Sequence, residues 1–513
     1  MNRKIIIGSR GSDLALWQAN YVKDQLAQLN LDAELRIIKT KGDLIKDLSF
    51  DKIEGKGFFT KEIEEALLNN SIDLAVHSHK DLETNPPEGL VVAAVSDRED
   101  PSELLLIRQN QVDNTKFWSL KEDAVVGTSS SRRKSQMKLF RSDVILKDLR
   151  GNVPTRIQKL REGQYDAIII ANAGVSRLQL DISDLHSKVL PNKWMIPAPA
   201  QGVLGIQVRE TDSELIRILK KINSEPTQRN IEFERKVLNL MNGGCQLPLG
   251  VYCETDNNVI KAWISMASSF NEIPYRIYKE GSNPKQIVEQ LISENRKKFK
   301  VLITRELSRN SLFSKLLEEQ GHLVEGKSLI ELEFLKNEAS GSFDWVFFTS
   351  SNAVLSFADQ LSKMESTKIG AMGDATANQL KEKGFDVDFI GNGSPEIIAA
   401  DFSKTIGAQR VLFPISDKSI RSIQKKLKPA QVVELITYKN KSKLSNLNKV
   451  DILVFTSPSN VYSFFENHEI TDEKIISIGP STEKALKDNG VDKVVVSWEP
   501  SEIALADSVM SFN

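Results

Sequence analysis

One of the two cysteines in the chain, Cys245, lies in the run Gly243-Gly244-Cys245-Gln246-Leu247-Pro248-Leu249-Gly250. Paired glycines reach backbone angles closed to other residues, and Pro248 stiffens the chain just beyond, so the thiol can be aimed into a cavity. A buried thiol that merely fills space is the competing reading. Val76-His77-Ser78-His79-Lys80-Asp81 ends a strand-like run, and strict alternation would set His77, His79 and Asp81 on one face. That face could hold a divalent metal, but the reading adopted assigns none. Asp81 beside Lys80 is expected instead to hold a nitrogen-bearing substrate and to stabilise positive charge that develops on it.

Arginines recur in small-residue stretches that follow apolar runs. Arg10 stands within Gly8-Ser9-Arg10-Gly11-Ser12, and Arg132 and Arg133 follow Gly127-Thr128-Ser129-Ser130-Ser131. Arg150 and Arg156 flank Gly151-Asn152, and Arg177 follows Ala171-Asn172-Ala173-Gly174. Guanidinium forks bind carboxylate or phosphate through two bonds, and hydroxyls and backbone N–H groups at helix starts add donors for the same anions. The pattern reads as a carboxylate-binding wall. Gly55-Lys56-Gly57 adds a flexible basic loop whose spacing matches no nucleotide-phosphate fingerprint.

The elements that position these groups follow from periodicity. Leu14, Trp17, Val22, Leu26 and Leu29 fall near helical spacing, and Ala33 to Ile38, Leu74 to His77, Val91 to Val95 and Ala167 to Ile170 read as strands. An α/β pattern results over about the first 220 residues. Residues 97–101 and 191–197, rich in Asp, Pro and Asn, mark two crossings between lobes. From residue 225 the chain reads as a small α+β unit with strands such as Val259 to Ile264 and a helix from Pro284. A fresh strand begins at Val301, after which the chain repeats itself. Asp344-Trp-Val-Phe-Phe-Thr-Ser-Ser-Asn-Ala353 matches Asp451-Ile-Leu-Val-Phe-Thr-Ser-Pro-Ser-Asn460, and Lys368-Ile-Gly-Ala-Met-Gly373 matches Lys474-Ile-Ile-Ser-Ile-Gly479. Two copies fit a pair of α/β lobes facing a cleft.

Composition bounds the function. At 513 residues the chain needs several domains, and a net charge of -1 gives no overall pull toward nucleic acid. Two cysteines build no disulfide framework, and with five histidines a structural zinc site is not expected. With neither a signal-type apolar core nor a membrane-length apolar run, a cytoplasmic monomer without a membrane partner is expected.

Residues 3 to about 295 resemble porphobilinogen deaminase, also called hydroxymethylbilane synthase. The resemblance rests on Ser9-Arg10-Gly11-Ser12 with Leu14-Ala15-Leu16-Trp17-Gln18, Gly55-Lys56-Gly57, Val76-His77-Ser78 with Lys80-Asp81, Gly127-Thr128-Ser129-Ser130, Leu149-Arg150-Gly151-Asn152, Gln201-Gly202 and Gly243-Gly244-Cys245-Gln246. It implies a periplasmic-binding-protein-like pair of lobes, 1–98 with 198–222 and 99–197, followed by a small α+β domain at 223–297. It further implies a dipyrromethane cofactor joined to Cys245 and four rounds of porphobilinogen condensation. Asp81, Lys80 and Arg10 would be catalytic. Ser12, Lys56, Ser130, Arg132, Arg133, Arg150 and Arg156 would hold the cofactor, and Arg177, Gln201 and Gly202 the substrate. His79, Ser131 and Gln207 depart from the usual pattern.

Residues 300–513 resemble uroporphyrinogen-III synthase through Thr349-Ser350, Thr456-Ser457-Pro458-Ser459, Ile436-Thr437-Tyr438 and Ile478-Gly479-Pro480-Ser481-Thr482. The implied α/β module has two lobes, 300–335 with 439–513 and 336–438. Tyr438 would face a cleft and assist loss of the substrate hydroxyl, while Thr456, Ser457, Ser481 and Thr482 would hold carboxylates. Together the two resemblances imply a bifunctional enzyme that makes hydroxymethylbilane and closes it to uroporphyrinogen III. The rivals are a deaminase with a non-catalytic partner module and a two-lobed ligand-binding protein.

Overall fold

The computed structural model describes residues 4–40, 60–241, 247–293, 296–364 and 366–513. It is mixed α/β and divides into two compact units. The first comprises Met1–Lys300, Ser308–Val324 and Ser497–Asn513, and the second Val301–Leu307 and Glu325–Val496. Among the described residues no helix is long and apolar enough to cross a membrane.

In the first unit two five-stranded sheets share one plan. One runs Ala33–Ile37, Ile5–Ser9, Leu74–Ser78, Leu204–Arg209, Leu90–Val95, and the other Ile145–Lys147, Val125–Gly127, Ala167–Ala171, Glu103–Arg108, Leu185–Leu190. In each, the first three strands are parallel and the fourth is antiparallel to both its neighbours. Both fourth strands begin just beyond a crossing. The chain leaves the first sheet through 97–101 to enter the second as Glu103–Arg108, and returns through 191–203 to enter the first as Leu204–Arg209.

Apolar periodicity explains the packing. Ala19, Val22 and Leu26 of the helix Asp13–Gln28 recur at helical spacing and bury against Ile5, Ile7, Leu74, Val76 and Ile206. Ser12 caps that helix, its side chain accepting from the Ala15 N–H. A third sheet, Leu249–Asp256, Val259–Met266 and Tyr275–Glu280, is antiparallel throughout. Its first hairpin turns on Asn257 and Asn258, both at positive φ, the backbone a two-residue turn requires.

This sheet and the helix Glu225–Leu240 grip both crossings. Glu234, buried on that helix, receives Arg98 Nη1 at 2.6 Å and Nη2 at 3.2 Å, the Ala200 N–H at 2.7 Å and the Cys253 N–H at 2.9 Å. Arg276 of the third sheet donates to the carbonyls of Lys193 and Trp194 at 2.8 and 2.7 Å. The helices Leu312–Glu318 and Glu502–Met510 also belong to this unit. Their place differs from the sequence expectation, which put 300–335 and 439–513 wholly in a downstream lobe.

The second unit holds two largely parallel sheets. One orders Leu323–Gly326, Lys300–Ile303, Ile452–Phe455, Lys474–Ser477 and Val494–Val496, the other Ile330–Phe334, Val432–Ser442, Val411–Ser416, Trp345–Phe348, Lys368–Ala371 and Phe389–Ile390. The sequence repeat is a repeat of geometry. Ser350 (φ -160°, ψ 157°) and Ser457 (φ -164°, ψ 156°) each end the turn after a buried strand and cap the following helix, accepting from Ala353 and Asn460. Gly373 and Gly479, both fully extended, start the next helix of each copy.

Gly202 shows how tightly the crossings lie together. Its φ is +87°, and a Cβ there would stand 2.3 Å from the Glu99 carbonyl oxygen, while its own carbonyl accepts from the Glu99 N–H at 3.0 Å. Gly202→Ala therefore meets both backbone strain and a clash with main chain, and is expected to lower unfolding free energy by about 2–4 kcal/mol. Urea denaturation of the full chain measures it; a midpoint equal to wild type would contradict the geometry.

Candidate active site

The strand Leu74–Ser78 stops at Ser78, and His79–Asp81 form a single 3-10 turn held by the His79 N–H donating to Val203 O at 2.9 Å. The expected alternation therefore fails beyond Ser78. His77 and His79 are both buried while Asp81 is exposed, so the three do not share one face. Lys80, half-buried, donates from Nζ to Gln201 Oε1 at 3.2 Å. Gln201 Nε2 in turn donates to Pro101 O at 2.7 Å and Glu103 Oε1 at 3.1 Å.

Glu103, fully buried as the first residue of its strand, is the hub of the site. Arg132 Nη2 lies 2.6 Å from Glu103 Oε1 and Arg133 Nη2 2.7 Å from Oε2. Arg132 also donates to Ile196 O at 2.8 Å, and Arg133 to Ile169 O at 3.1 Å. Burial alone would raise the Glu103 carboxyl, but the Arg133 and Arg132 guanidiniums outweigh it and hold it down to about 2. Lys80 is lowered chiefly by burial, against the attraction of Asp81. Arg156 is pushed down to about 10 by burial and by Arg133, with Asp81 opposing.

The exposed Asp81 carboxylate thus faces a buried concentration of positive charge. Arg132 and Arg133 occupy the first turn of the helix Ser131–Phe140, and Arg156 lies near the start of Val153–Arg161; neither helix has an acid in its first turn. Cations at the positive end of a helix are unfavourable by themselves, so this arrangement calls for anions beyond Glu103. Arg133 Nε and Arg177 Nε are buried without a hydrogen-bond partner among the described residues.

Comparisons with known proteins decide the family. The porphobilinogen deaminase, dipyrromethane cofactor binding domain model matches residues 5–217, and the uroporphyrinogen-III synthase HemD model matches residues 311–507. The porphobilinogen deaminase of Chlorobium phaeovibrioides is 40% identical over 317 residues, covering 58% of this chain and 99% of that protein. That of Gloeobacter violaceus is 45% identical over 261 residues, covering 50% and 79%. The chain belongs to the porphobilinogen deaminase family. Among solved structures, uroporphyrinogen-III synthetase from Helicobacter pylori 26695 is similar at 20% identity over 42% of this chain and 99% of its own, with a TM-score of 0.34.

Of the deaminase residues named from sequence, the structure brings together Lys80, Asp81, Arg132, Arg133, Arg156 and Gln201. Arg10 lies close enough to His77 to lower its pKa. Arg177 donates to Gly202 O at 2.6 Å and lies 5.5 Å over the Trp17 ring. Arg150 is half-buried, with its carbonyl accepting from Lys159 Nζ at 3.2 Å. Ser12 and Ser130 are helix caps, Ser130 accepting from the Arg133 N–H. Cys245 and Lys56 lie outside the described residues. Cys253 is core: its thiol is raised well above the usual range by burial and by Glu234. Glu103 escaped the sequence reading, although an acid opening the apolar run Leu104-Leu105-Leu106-Ile107 was a signal available there.

In the second unit Thr456 Oγ1 donates to Thr304 O at 3.0 Å, and Ser457 accepts from Asn460. Ser481 is exposed in the first turn of Pro480–Asp488, a helix whose Gly479 cap offers no side chain. Thr482 is buried, its hydroxyl without a partner among the described residues. Tyr438 departs from expectation. It is 6% exposed, packed in a lobe core, and its hydroxyl meets Ser350 Oγ at 3.1 Å, because its strand turns that face inward.

The buried histidines make stability depend on pH. Burial, chiefly, lowers His77 to about 4 and His79 to about 3, against an unfolded value near 6.5. Both are neutral when folded, so their contribution is fully present above pH 6.5 and is lost as pH falls toward 4. Each should cost about 1.4 kcal/mol per pH unit over that window. Urea unfolding at pH 7 and pH 5.5 should show His79→Leu losing about 1 kcal/mol less on acidification than wild type. An identical loss in both proteins would remove His79 from this account.

Proposed function

We propose that this bifunctional enzyme of haem biosynthesis joins four porphobilinogen molecules into hydroxymethylbilane in its first unit. Its second half then closes that chain to uroporphyrinogen III with inversion of the last ring. The observation that carries the first activity is the exposed Asp81 carboxylate beside Lys80, Gln201, Glu103, Arg132, Arg133 and Arg156. The two similar sheets, joined by two crossings, act as a periplasmic-binding-protein-like pair of lobes around this site.

The residues present fit a dipyrromethane cofactor. Each pyrrole ring carries an acetate and a propionate, and Lys80, Arg132, Arg133 and Arg156 outnumber the carboxylates Glu103 and Asp81 that share their neighbourhood. Cys245 would hold the cofactor through a thioether, with Arg133, Arg150, Arg156, Lys56 and the Ser12 and Ser130 caps lining its path. Bound there, the group supplies a nucleophilic pyrrole carbon on which the chain is begun. Arg132, with Glu103 and Ile196 O already on its guanidinium, serves more to fix Arg133 than to meet the cofactor itself.

Asp81 holds the pyrrole N–H of incoming porphobilinogen. As the bond from the methylene carbon to nitrogen breaks, ammonia departs and the ring is left as an electron-poor azafulvene. A carboxylate at that N–H stabilises the positive charge, and does so again when the methylene carbon forms its new bond to the growing chain and a ring proton is released. Lys80, Arg10 and Arg177 hold substrate carboxylates. Gln201, on the crossing, couples Lys80 to Glu103 so that the two lobes keep the charges in register.

In the second unit Thr456, Ser457, Ser481 and Thr482 offer hydroxyls and a helix start without a side-chain cap to the carboxylates of the linear chain. Tyr438, enclosed in the core, acts by orienting Ser350 rather than by direct proton donation. Fusion suits this chemistry, because a linear product that cyclises spontaneously to the wrong isomer is best met by a tethered second site at high effective concentration.

Intact-protein mass is the direct test of the first activity. The wild type should carry a two-ring adduct that Cys245→Ala lacks, and Asp81→Asn should keep folding while lowering kcat by about 10²–10³. An active wild type with an unmodified thiol would sink this reading. Isomer analysis tests the second: porphobilinogen should yield uroporphyrinogen III from the full chain, and the type I isomer alone would show that the second half does not catalyse closure.

A further inference from the structure

The deaminase-bearing unit is completed by two segments that the synthase family model matches in part. Residues 311–324 and 497–507 fall within both that match and the first compact unit. In the helix Glu502–Met510 every residue from Ile503 to Met510 is buried, Asp507 included. Asp507 forms a bidentate pair with Arg276, Oδ1 to Nε and Oδ2 to Nη2, both at 3.1 Å, with each side chain 1% exposed. Gln290 Nε2 donates to Met510 O at 3.0 Å, and Ser311 Oγ to Glu502 Oε2 at 3.0 Å.

Arg276 does not end at Asp507. Its remaining donors reach the carbonyls of Lys193 and Trp194 on the return crossing, and Trp194 Nε1 donates to Glu499 Oε1 at 3.0 Å. Two residues further on, Ile196 is fixed from the other side. Its carbonyl accepts from Arg132 and from Gln136 Nε2, each at 2.8 Å, and its N–H donates to Gln136 Oε1 at 2.7 Å. A path of polar contacts and main chain therefore runs from the buried Asp507 through Arg276, residues 193–196 and Arg132 to Glu103, the bonds to residues 193 and 194 being part-buried. The guanidinium fork can serve the crossing only while Asp507 holds its other edge, because a planar donor set with one carboxylate partner has a single orientation.

We infer that residues 497–513 are a working part of the deaminase, with Asp507 acting through Arg276 as a positioning residue for the crossing and the arginines it orients. This rests on the first unit being the deaminase, and goes beyond it by placing a determinant of porphobilinogen binding in a segment matched by the other enzyme's model. Asp507 touches no substrate. Its effect is on the carboxylate-binding geometry, and so on KM for porphobilinogen more than on kcat.

The test uses the full chain carrying Asp507→Asn, Asp507→Glu and Glu499→Ala, with porphobilinogen consumption and amide hydrogen exchange over residues 191–197 as readouts. Asp507→Asn should raise KM about fivefold or more, leave kcat within about twofold, and speed exchange at 193–196 about tenfold. Asp507→Glu should recover most of both. Wild-type KM and exchange in Asp507→Asn, or a fall in kcat at unchanged KM, would overturn the inference. If Asp507→Asn does not fold, Glu499→Ala, which removes the acceptor of Trp194 Nε1–H, decides in the same terms with smaller shifts: a raised KM with faster exchange supports the inference, and no change in either overturns it. A wild-type chain that consumes no porphobilinogen would refute the deaminase assignment instead, an outcome separate from the exchange result.

Discussion

A carboxylate removed from water must find compensating charge, and Glu103 finds two guanidiniums. The requirement works in both directions. Arg132 and Arg133 could not be buried at the positive end of a helix without an acid beneath them, and Glu103 could not open an apolar strand without those cations above it. One carboxylate shared between two guanidiniums leaves positive charge in surplus, and Gln201 ties that surplus to Lys80, just beyond the strand Leu74–Ser78. The orientation of Arg132 and Arg133 is thus set by the scaffold, through Glu103 and the carbonyls of Ile196 and Ile169.

The crossings carry this arrangement. Each delivers the antiparallel strand of the next sheet, so the residues that begin those strands lie where the chain passes from one sheet to the other. Glu103 stands at one such start, and Gln201 and Gly202 just ahead of the other. The helix Glu225–Leu240 and the third sheet fasten both crossings through one buried acid, Glu234, and one buried base, Arg276. In the second unit, by contrast, the repeated strand-turn-helix elements are capped by serines and begun at extended glycines, an arrangement of dipoles and hydroxyls with few fixed charges.

Local signals carried much of this. Strands such as Leu74–Ser78 and Ala167–Ala171 follow from their apolar runs, and the match of residues 344–353 to 451–460 marks a repeated α/β element, whose shared cap geometry the structure adds. Glu103, the partner of Arg132 and Arg133, was signalled only by its place ahead of the run Leu104-Leu105-Leu106-Ile107, and an acid at a strand start reads as surface until the fold encloses it. Tyr438 was expected on the connection, facing a cleft, yet its ring is buried in the cluster that holds Val346, Phe348 and Phe357. The pair Arg276–Asp507 spans 231 positions and has no local signature at all. An isolated acid among Ile503, Ala504, Leu505 and Ala506 hints only that some base must come from elsewhere.

That separation bears on how the chain is made. Arg276 and the crossing are synthesised long before Asp507, and the whole of 301–496 emerges between them. Domains that close on contiguous sequence can finish during synthesis, but a unit whose buried ion pair awaits residues 497–513 cannot. Until then the Arg276 guanidinium has main-chain carbonyls such as those of Lys193 and Trp194 but not its carboxylate partner, and the unit that begins the chain is the later one to be completed. The second unit, made of Val301–Leu307 and Glu325–Val496, therefore has all its residues before the first unit, which begins the chain, has its last.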